Sequence, residues 1–333
     1  IEEQFIGESD PKAVSDAALA AMIESLDDRW SYYMTAEEYE SYKQYVRNAY
    51  TGIGVTIQQD EESGGLLVVG VTEGGPAFEA GIAAGDTLLA IDGESILGWT
   101  TSEVRTVIQN GYGKTLEMLV RHSDGTEETM GVVCAEVKVD PVRYELLDNA
   151  IGYIQISNFE EGCADGAIAA IEDLQQQGAE SLIFDVRGNP GGRVSQLTKL
   201  LDYLLPEGDI FVSVGENGEE TVTQSDSECL EMPMVVLVNG GSYSAAEFFA
   251  AALSEYDWAT IAGEATTGKG RSQITIELSD GSAVHLSTKK YLTPERVDLS
   301  ETGGITPDLL VEQGEKSDTQ LEAAVDFLSE KAA

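Results

Sequence analysis

Positive charge is scarce in this chain of 333 residues: 19 Lys and Arg stand against 60 Asp and Glu, a formal net charge of −41. Such a chain is repelled by nucleic acid and by anionic lipid, so no polyanion-binding role is expected of it. The excess reads instead as a solubilising surface suited to a salty or extracellular setting. Cysteine is sparse as well. Cys134, Cys163 and Cys229 are widely separated, lack metal-ligand spacing and are odd in number, so neither a disulfide framework nor a metal site is indicated. Only two histidines occur, His122 and His285, and neither lies near a serine–acid constellation, which favours a catalytic base of another kind. No run approaches the roughly 18 apolar residues of a membrane span, and the first residues lack the apolar stretch of a signal peptide.

What is present centres on residues 234–273. The run Met234-Val-Val-Leu-Val238 has the length of a buried strand, and residues 245–256 follow helical spacing, with Phe249, Ala252, Leu253 and Tyr256 at i, i+3, i+4 and i+7. Ser244 therefore falls where strand turns into helix. The free N–H groups of the helix's first turn lie beside it and can stabilise negative charge developing on a carbonyl. A twelve-residue helix carries the chain about 18 Å, and a returning strand over 258–263 brings it back roughly 20 Å. The chain so regains the level of Ser244 shortly before Lys269, where Gly268 and Gly270 leave room for a tight loop. A lysine buried among apolar neighbours loses its proton more readily, and the neutral amine can take a serine's proton. Singly, such a serine reads as an N-cap and such a lysine as a solvated loop residue; the combination points to a nucleophile and its base.

The segment Asn239-Gly-Gly-Ser-Tyr-Ser244-Ala-Ala-Glu247, followed by Gly263-Glu-Ala-Thr-Thr-Gly-Lys269-Gly-Arg-Ser-Gln273, resembles the catalytic region of the carboxy-terminal processing peptidases, or tail-specific proteases. The resemblance implies Ser244 as nucleophile, Lys269 as its base 25 residues on, and Gln273 as support for the lysine. A straight strand would hold Lys269 and Gln273 about 13 Å apart, so a direct contact requires a bend at Gly270. Tyr243 and Ala246 stand where the family often has Ala and Ser. Asp185-Val-Arg-Gly-Asn-Pro-Gly-Gly192 resembles the family's glycine-rich strand-to-helix turn. That likeness implies an oxyanion-hole donor at Gly191 or Gly192, opposite the Ala245 N–H. The turn lacks the Gly-x-x-x-x-Gly-Lys-Ser/Thr spacing of a phosphate-cradling loop.

Towards the N-terminus, Asp10-Pro11 reads as an N-cap with proline at N1, and Val14, Ala17, Ala18, Ala21, Met22 and Leu26 share one face of the helix that follows. Leu26-Asp-Asp-Arg-Trp-Ser-Tyr-Tyr-Met-Thr-Ala-Glu-Glu38 resembles another family segment, with Arg29 in place of the usual proline. A second helix over 36–47 is assigned to packing or dimer contact rather than chemistry. Residues 50–57 alternate as one strand around Gly52-Ile53-Gly54-Val55, Pro76–Asp86 and Leu88–Gly93 resemble the PDZ signature, and Thr101–Asn110 reads as a helix. A PDZ domain implies a groove in which the Gly52–Gly54 N–H groups receive a peptide's carboxylate, with Ile53, Val55 and Ile57 on one side and Val104, Val107 and Ile108 on the other. Beyond it, residues 151–156, 163–176, 181–186 and 194–205 alternate strand and helix. Ser317 with Gln320 reads as a capping box for a last helix whose stripe is Leu321, Ala324, Val325 and Leu328.

These readings combine into three parts: an N-terminal helical segment over 1–49, a PDZ domain over 50–136 and an α/β peptidase core over 137–333. The family implies that this core is built of crotonase-like strand–strand–helix units. The expected function is serine endopeptidase action near protein C-termini, with no cofactor, on protein or peptide substrates with apolar C-termini. A homodimer is compatible with the sequence, and the expected location is extracytoplasmic. The rivals are a non-catalytic ligand- or peptide-binding protein on the same fold and an acyl-CoA-type crotonase enzyme. Ser244, Lys269 and Gln273 together argue against the first, and the PDZ-like unit against the second.

Overall fold

The computed structural model describes residues 6–60 and 63–332. Two compact units emerge: Arg47–Val139 forms one, and the described residues on either side of it form the other. The N-terminal segment thus belongs to the same unit as the α/β core.

The core is built on a six-stranded sheet in the order Val142–Leu147, Ile151–Ile156, Ser181–Asp185, Met234–Val238, Ala259–Gly263, Leu309–Leu310. The first pair is antiparallel and the remaining pairs are parallel. Parallel strands covered on both faces need apolar residues at every position, and Met234–Val238 has them. Met234, Val236 and Val238 pack with the helices Cys163–Gln177, Val194–Leu204 and Ala245–Glu255. Val235 and Leu237 point the other way, into a smaller core closed by Ala324 and Leu328 of the Thr319–Ala332 helix. Phe248 and Phe249 of Ala245–Glu255 are fully buried, and fully buried Phe159 and Phe184 pack against Phe249. Each such ring contributes roughly 1.5–3 kcal/mol by leaving water, which holds that helix firmly against the sheet.

A second, antiparallel sheet joins Tyr32–Met34, Ala283–Leu292, Gly208–Val214 and Glu220–Ser225, with Arg271–Glu277 also paired to Ala283–Leu292. The pairing of Tyr32 with His285 threads the N-terminal segment into the core. Pro11–Glu24 is a helix capped by Asp10, as its sequence suggests. Its apolar stripe, however, does not face inward: Val14, Met22 and Leu26 are 37%, 56% and 54% exposed. The helix docks instead through buried Ile23 and half-buried Leu19 and Asp16, because Asp16 Oδ1 accepts a hydrogen bond from the Tyr33 hydroxyl at 2.7 Å. At the other end the cap is Asp318 rather than Ser317. Its Oδ1 accepts from the Leu321 N–H at 3.1 Å, and the carboxylate is fixed by both NH groups of Arg187 at 2.7 Å. Gln320 serves no box; it is buried, and its amide donates to the Val311 carbonyl at 2.9 Å.

In the smaller unit the expected single strand over 50–57 is two. Ala49–Gly52 pairs with Ala135–Lys138, and Val55–Gln59 pairs with Leu66–Val71, with Gly54 at φ +82° making the turn between them. The main sheet runs Val55–Gln59, Leu66–Val71, Thr87–Ile91, Thr115–Arg121, Glu127–Val133, and Glu94–Ser95 pairs with Thr87–Ile91. Thr101–Asn110 is a helix opened by a reciprocal Thr100–Glu103 capping box. Among the described residues no helix is long and apolar enough to cross a membrane.

Candidate active site

Ser244 is 7% exposed and sits at φ 58°, ψ −127°, immediately before Ala245–Glu255. A positive φ is costly for a residue with a side chain and persists only where the surroundings impose it. Several bonds do so here. The Ser242 hydroxyl donates to the Val186 carbonyl at 2.7 Å, the Tyr243 N–H donates to the Asn189 carbonyl at 3.1 Å, and Asn239 Oδ1 accepts from the Gly188 and Gly241 N–H groups, each at 2.9 Å. The serine turn and the glycine-rich turn are therefore one interlocked piece.

Glu247, on the first turn of the helix, is fully buried. Its Oε2 accepts from the Ser244 N–H at 3.0 Å and from the Lys269 N–H at 2.9 Å. Its Oε1 accepts from the Gly268 N–H at 2.6 Å and the Thr266 hydroxyl at 2.5 Å. A carboxylate without solvent needs its lone pairs filled, and four donors fill them. One side chain thus ties the backbone of Ser244 to the backbone of Lys269. Gly268 at φ +83° lets the second loop close in: a Cβ there would lie 2.8 Å from both the Gly303 carbonyl carbon and the Gly304 nitrogen.

The Lys269 ammonium lies 4.6 Å from the centroid of the Trp30 ring and 5.8 Å from that of Tyr243. Burial pushes its pKa down to about 8; the Arg29 charge acts in the same direction, while Asp28 and Glu247 oppose it. The Arg29 guanidinium stacks on the same indole at 4.2 Å, so the residue that replaces the family's proline adds a cation beside the lysine. No hydrogen bond joins Lys269 to Ser244 in this structure. Both line one cavity of about 630 Å³ with Gln273, Gly191, Gly192, Tyr32, Tyr42, Tyr45 and His285. The Gln273 amide does not reach the lysine: Nε2 donates to Ser287 Oγ at 3.0 Å and to the Arg271 carbonyl at 3.1 Å. A register shift between Ser272 and Gln273 accompanies that placement.

The two glycines of the candidate oxyanion hole differ. The Gly191 N–H donates to Asn189 Oδ1 at 2.8 Å and its carbonyl accepts from Phe159 at 2.7 Å, while Asn189 is itself held by the Ile156 carbonyl. The Gly192 and Ala245 N–H groups have no partner among the described residues. Gly191, at φ +92°, nevertheless abuts Ser244, since a Cβ there would lie 2.8 Å from both the Ala245 nitrogen and Ser244 Cβ.

Several cavity residues escape a reading of the sequence. Tyr42 and Tyr45 come from Ala36–Tyr45, a helix expected only to pack, and His285 comes from a strand with no motif. His285 is pushed down to about 4 by burial, with the Lys269 charge adding to the effect, so it is neutral near pH 7. Glu247 had a signal, an acid three residues after the serine, where a capping box would place it.

In the smaller unit the groove also differs from expectation. A cavity of about 450 Å³ is lined by residues 50–57, including Gly52, Ile53, Gly54 and Val55, and by Arg105, Ile108 and Gln109. Val104 and Val107 do not line it. Val104 is fully buried and Val107 half-buried against the unit's own core, because the helix needs those two residues to anchor it to the sheet.

Comparison with known proteins agrees with this architecture. Residues 150–311 match peptidase family S41, and residues 67–122 match the PDZ domain. The chain is 34% identical over 89% of its length to the carboxy-terminal processing protease of Bacillus subtilis (strain 168), and spans 63% of that protein. It is 32% identical over 94% of its length to a carboxyl-terminal-processing protease of Synechocystis, spanning 76% of it. A solved photosystem II D1 C-terminal processing protease superposes with a TM-score of 0.57 at 28% identity, covering 97% of this chain and 88% of that one. The fold is thus that of a PDZ-bearing serine peptidase. The chain belongs to peptidase family S41, among its carboxy-terminal processing proteases.

Proposed function

We propose that the chain is a serine endopeptidase cleaving proteins near their C-termini, with Ser244 as nucleophile, Lys269 as general base, and the Gly192 and Ala245 N–H groups as the oxyanion hole. The observation that carries this reading is the buried Glu247 carboxylate, which binds the backbone N–H of both Ser244 and Lys269 at the wall of one cavity. In the attack the neutral Lys269 amine swings from the Trp30 ring and takes the Ser244 Oγ proton as Oγ bonds to the substrate carbonyl carbon. The carbonyl electron pair moves onto oxygen, where the two unpartnered N–H groups receive it. When the C–N bond breaks, the Lys269 ammonium returns the proton to the leaving amine. Water then hydrolyses the ester by the same route.

Gln273 supports the base indirectly in this scheme, by fixing the cavity wall through Ser287 and Arg271. The PDZ unit receives the substrate's tail, its final apolar side chain packing against Ile53, Val55 and Ile108, where full burial of a Leu or Val contributes roughly 1.5–3 kcal/mol. The test is incubation of the wild-type chain and Ser244→Ala with an unstructured protein, the products mapped by mass spectrometry. Cleavage by the wild type alone is expected, with both chains melting at nearly the same temperature. Equal cleavage by the variant removes Ser244 as nucleophile.

A further inference from the structure

Among the described residues, the walls of the groove in the smaller unit carry one charged side chain. Val55–Gln59 is the outer strand of its sheet, paired on one side to Leu66–Val71, so its other edge is free to pair with an extended peptide. The N–H groups of Ile53 and Gly54, at the head of that strand, have no partner among the described residues, which suits a terminal carboxylate. Across the groove the helix Thr101–Asn110 presents Arg105, Ile108 and Gln109, at i, i+3 and i+4, to the same space. The other described residues on the walls, 50–57, are apolar or uncharged. Arg105 is exposed and makes no ion pair among the described residues. In a chain with 60 acidic residues, an arginine left unpaired beside a peptide groove is available for a ligand.

We propose that Arg105 makes this groove select C-terminal tails that carry an Asp or Glu side chain within their last few residues, upstream of an apolar final residue. The inference rests on the tail-reading role given to the groove above and adds to it the chemistry of a second contact. The free terminal carboxylate occupies the Ile53–Gly54 N–H groups, the final side chain lies against Val55 and Ile108, and the upstream carboxylate meets the guanidinium. A guanidinium offers a planar pair of donors that match a carboxylate's two oxygens, a geometry a lysine could not supply. The acidic bulk of the chain repels such a tail at long range, so the preference is local and depends on this one residue.

The test uses the whole chain carrying Ser244→Ala, so that no peptide is consumed, and fluorescence anisotropy with labelled peptides identical except at one site. One ends in a free Leu with Glu two residues before it; others replace that Glu with Gln or Lys, and a fourth is the Glu peptide with an amidated end. The Glu peptide is expected to bind about five- to tenfold more tightly than the Gln peptide, the range of a charge-assisted bond partly shielded from water. The preference should shrink at high salt, vanish in R105Q and turn towards the Lys peptide in R105E. Equal binding of the Glu and Gln peptides by the parent chain, or a Glu preference that survives R105Q, overturns the inference while leaving tail recognition intact. An amidated peptide that binds as tightly as its free counterpart overturns tail recognition instead. No binding by any free-ended peptide overturns both.

Discussion

Lys269 has lost much of the water its charge requires, and burial moves its pKa from 10.5 down to about 8. A base works unprotonated, so the sign is fixed: hydrolysis should rise with pH through about 8 and level off above it. His285, pushed down to about 4, stays neutral and adds no inflection in that range. A rate independent of pH between 7 and 9 would contradict the assignment of Lys269 as base. Glu247 makes the second residue-level prediction. Glu247→Gln keeps the size but exchanges one acceptor oxygen for an NH2 that confronts N–H donors now bound at 2.6–3.0 Å. Since a displacement near 1 Å can cost about 10²-fold in rate, kcat should fall by that order. Losing one or more bonds to a buried charge should also lower stability by about 1.5–3 kcal/mol. Wild-type kcat in a folded Glu247→Gln chain would show that the carboxylate positions nothing. Ser244, Lys269, Gly191 and Gly192, to which the proposal gives its roles, could be picked out in the sequence because they stand in contiguous motifs. Tyr32, Tyr42 and His285 were not, because the pairing of Tyr32–Met34 with Ala283–Leu292 joins segments distant in sequence at the cavity.

The turns between elements show where pattern reading succeeds and where it slips. Thr101–Asn110 follows from its sequence because Thr100 and Glu103 form a capping box and Val104 and Ile108 supply a buried ridge. Its groove face followed only in part: Ile108 lines the cavity, but Arg105 and Gln109 stand beside it where Val104 and Val107 were expected, since the helix spends those two on the unit's own core. The same confusion of faces affects Pro11–Glu24, where alanines on the outer side imitate a core stripe. Among the turns, that of Gly191 carries a sharp consequence. A methyl group there would press on the Ala245 nitrogen and Ser244 Cβ at 2.8 Å, in a backbone region that disfavours any side chain. Gly191→Ala should therefore reduce kcat more strongly than it lowers the melting temperature. The reverse ranking, with kcat kept and stability lost, would mean the turn is only a structural corner.

At the scale of the molecule, the order of parts along the chain was visible in the sequence, but their physical grouping was not. Motif places the small sheet unit over 50–136, against Arg47–Val139 in the structure; nothing in residues 6–46 announces that their strand Tyr32–Met34 joins Ala283–Leu292 in one sheet. That register has a consequence for how the protein is made. Tyr32 leaves the ribosome roughly 250 residues before His285, its partner in the sheet. At about 5–20 residues per second, the strand waits on the order of 13–50 s for an edge to join. Arg47–Val139 has every strand of its own sheet within reach long before then. The small unit can therefore fold during translation, while the unit that holds Ser244 and Lys269 closes only once Ala283–Leu292 has been made.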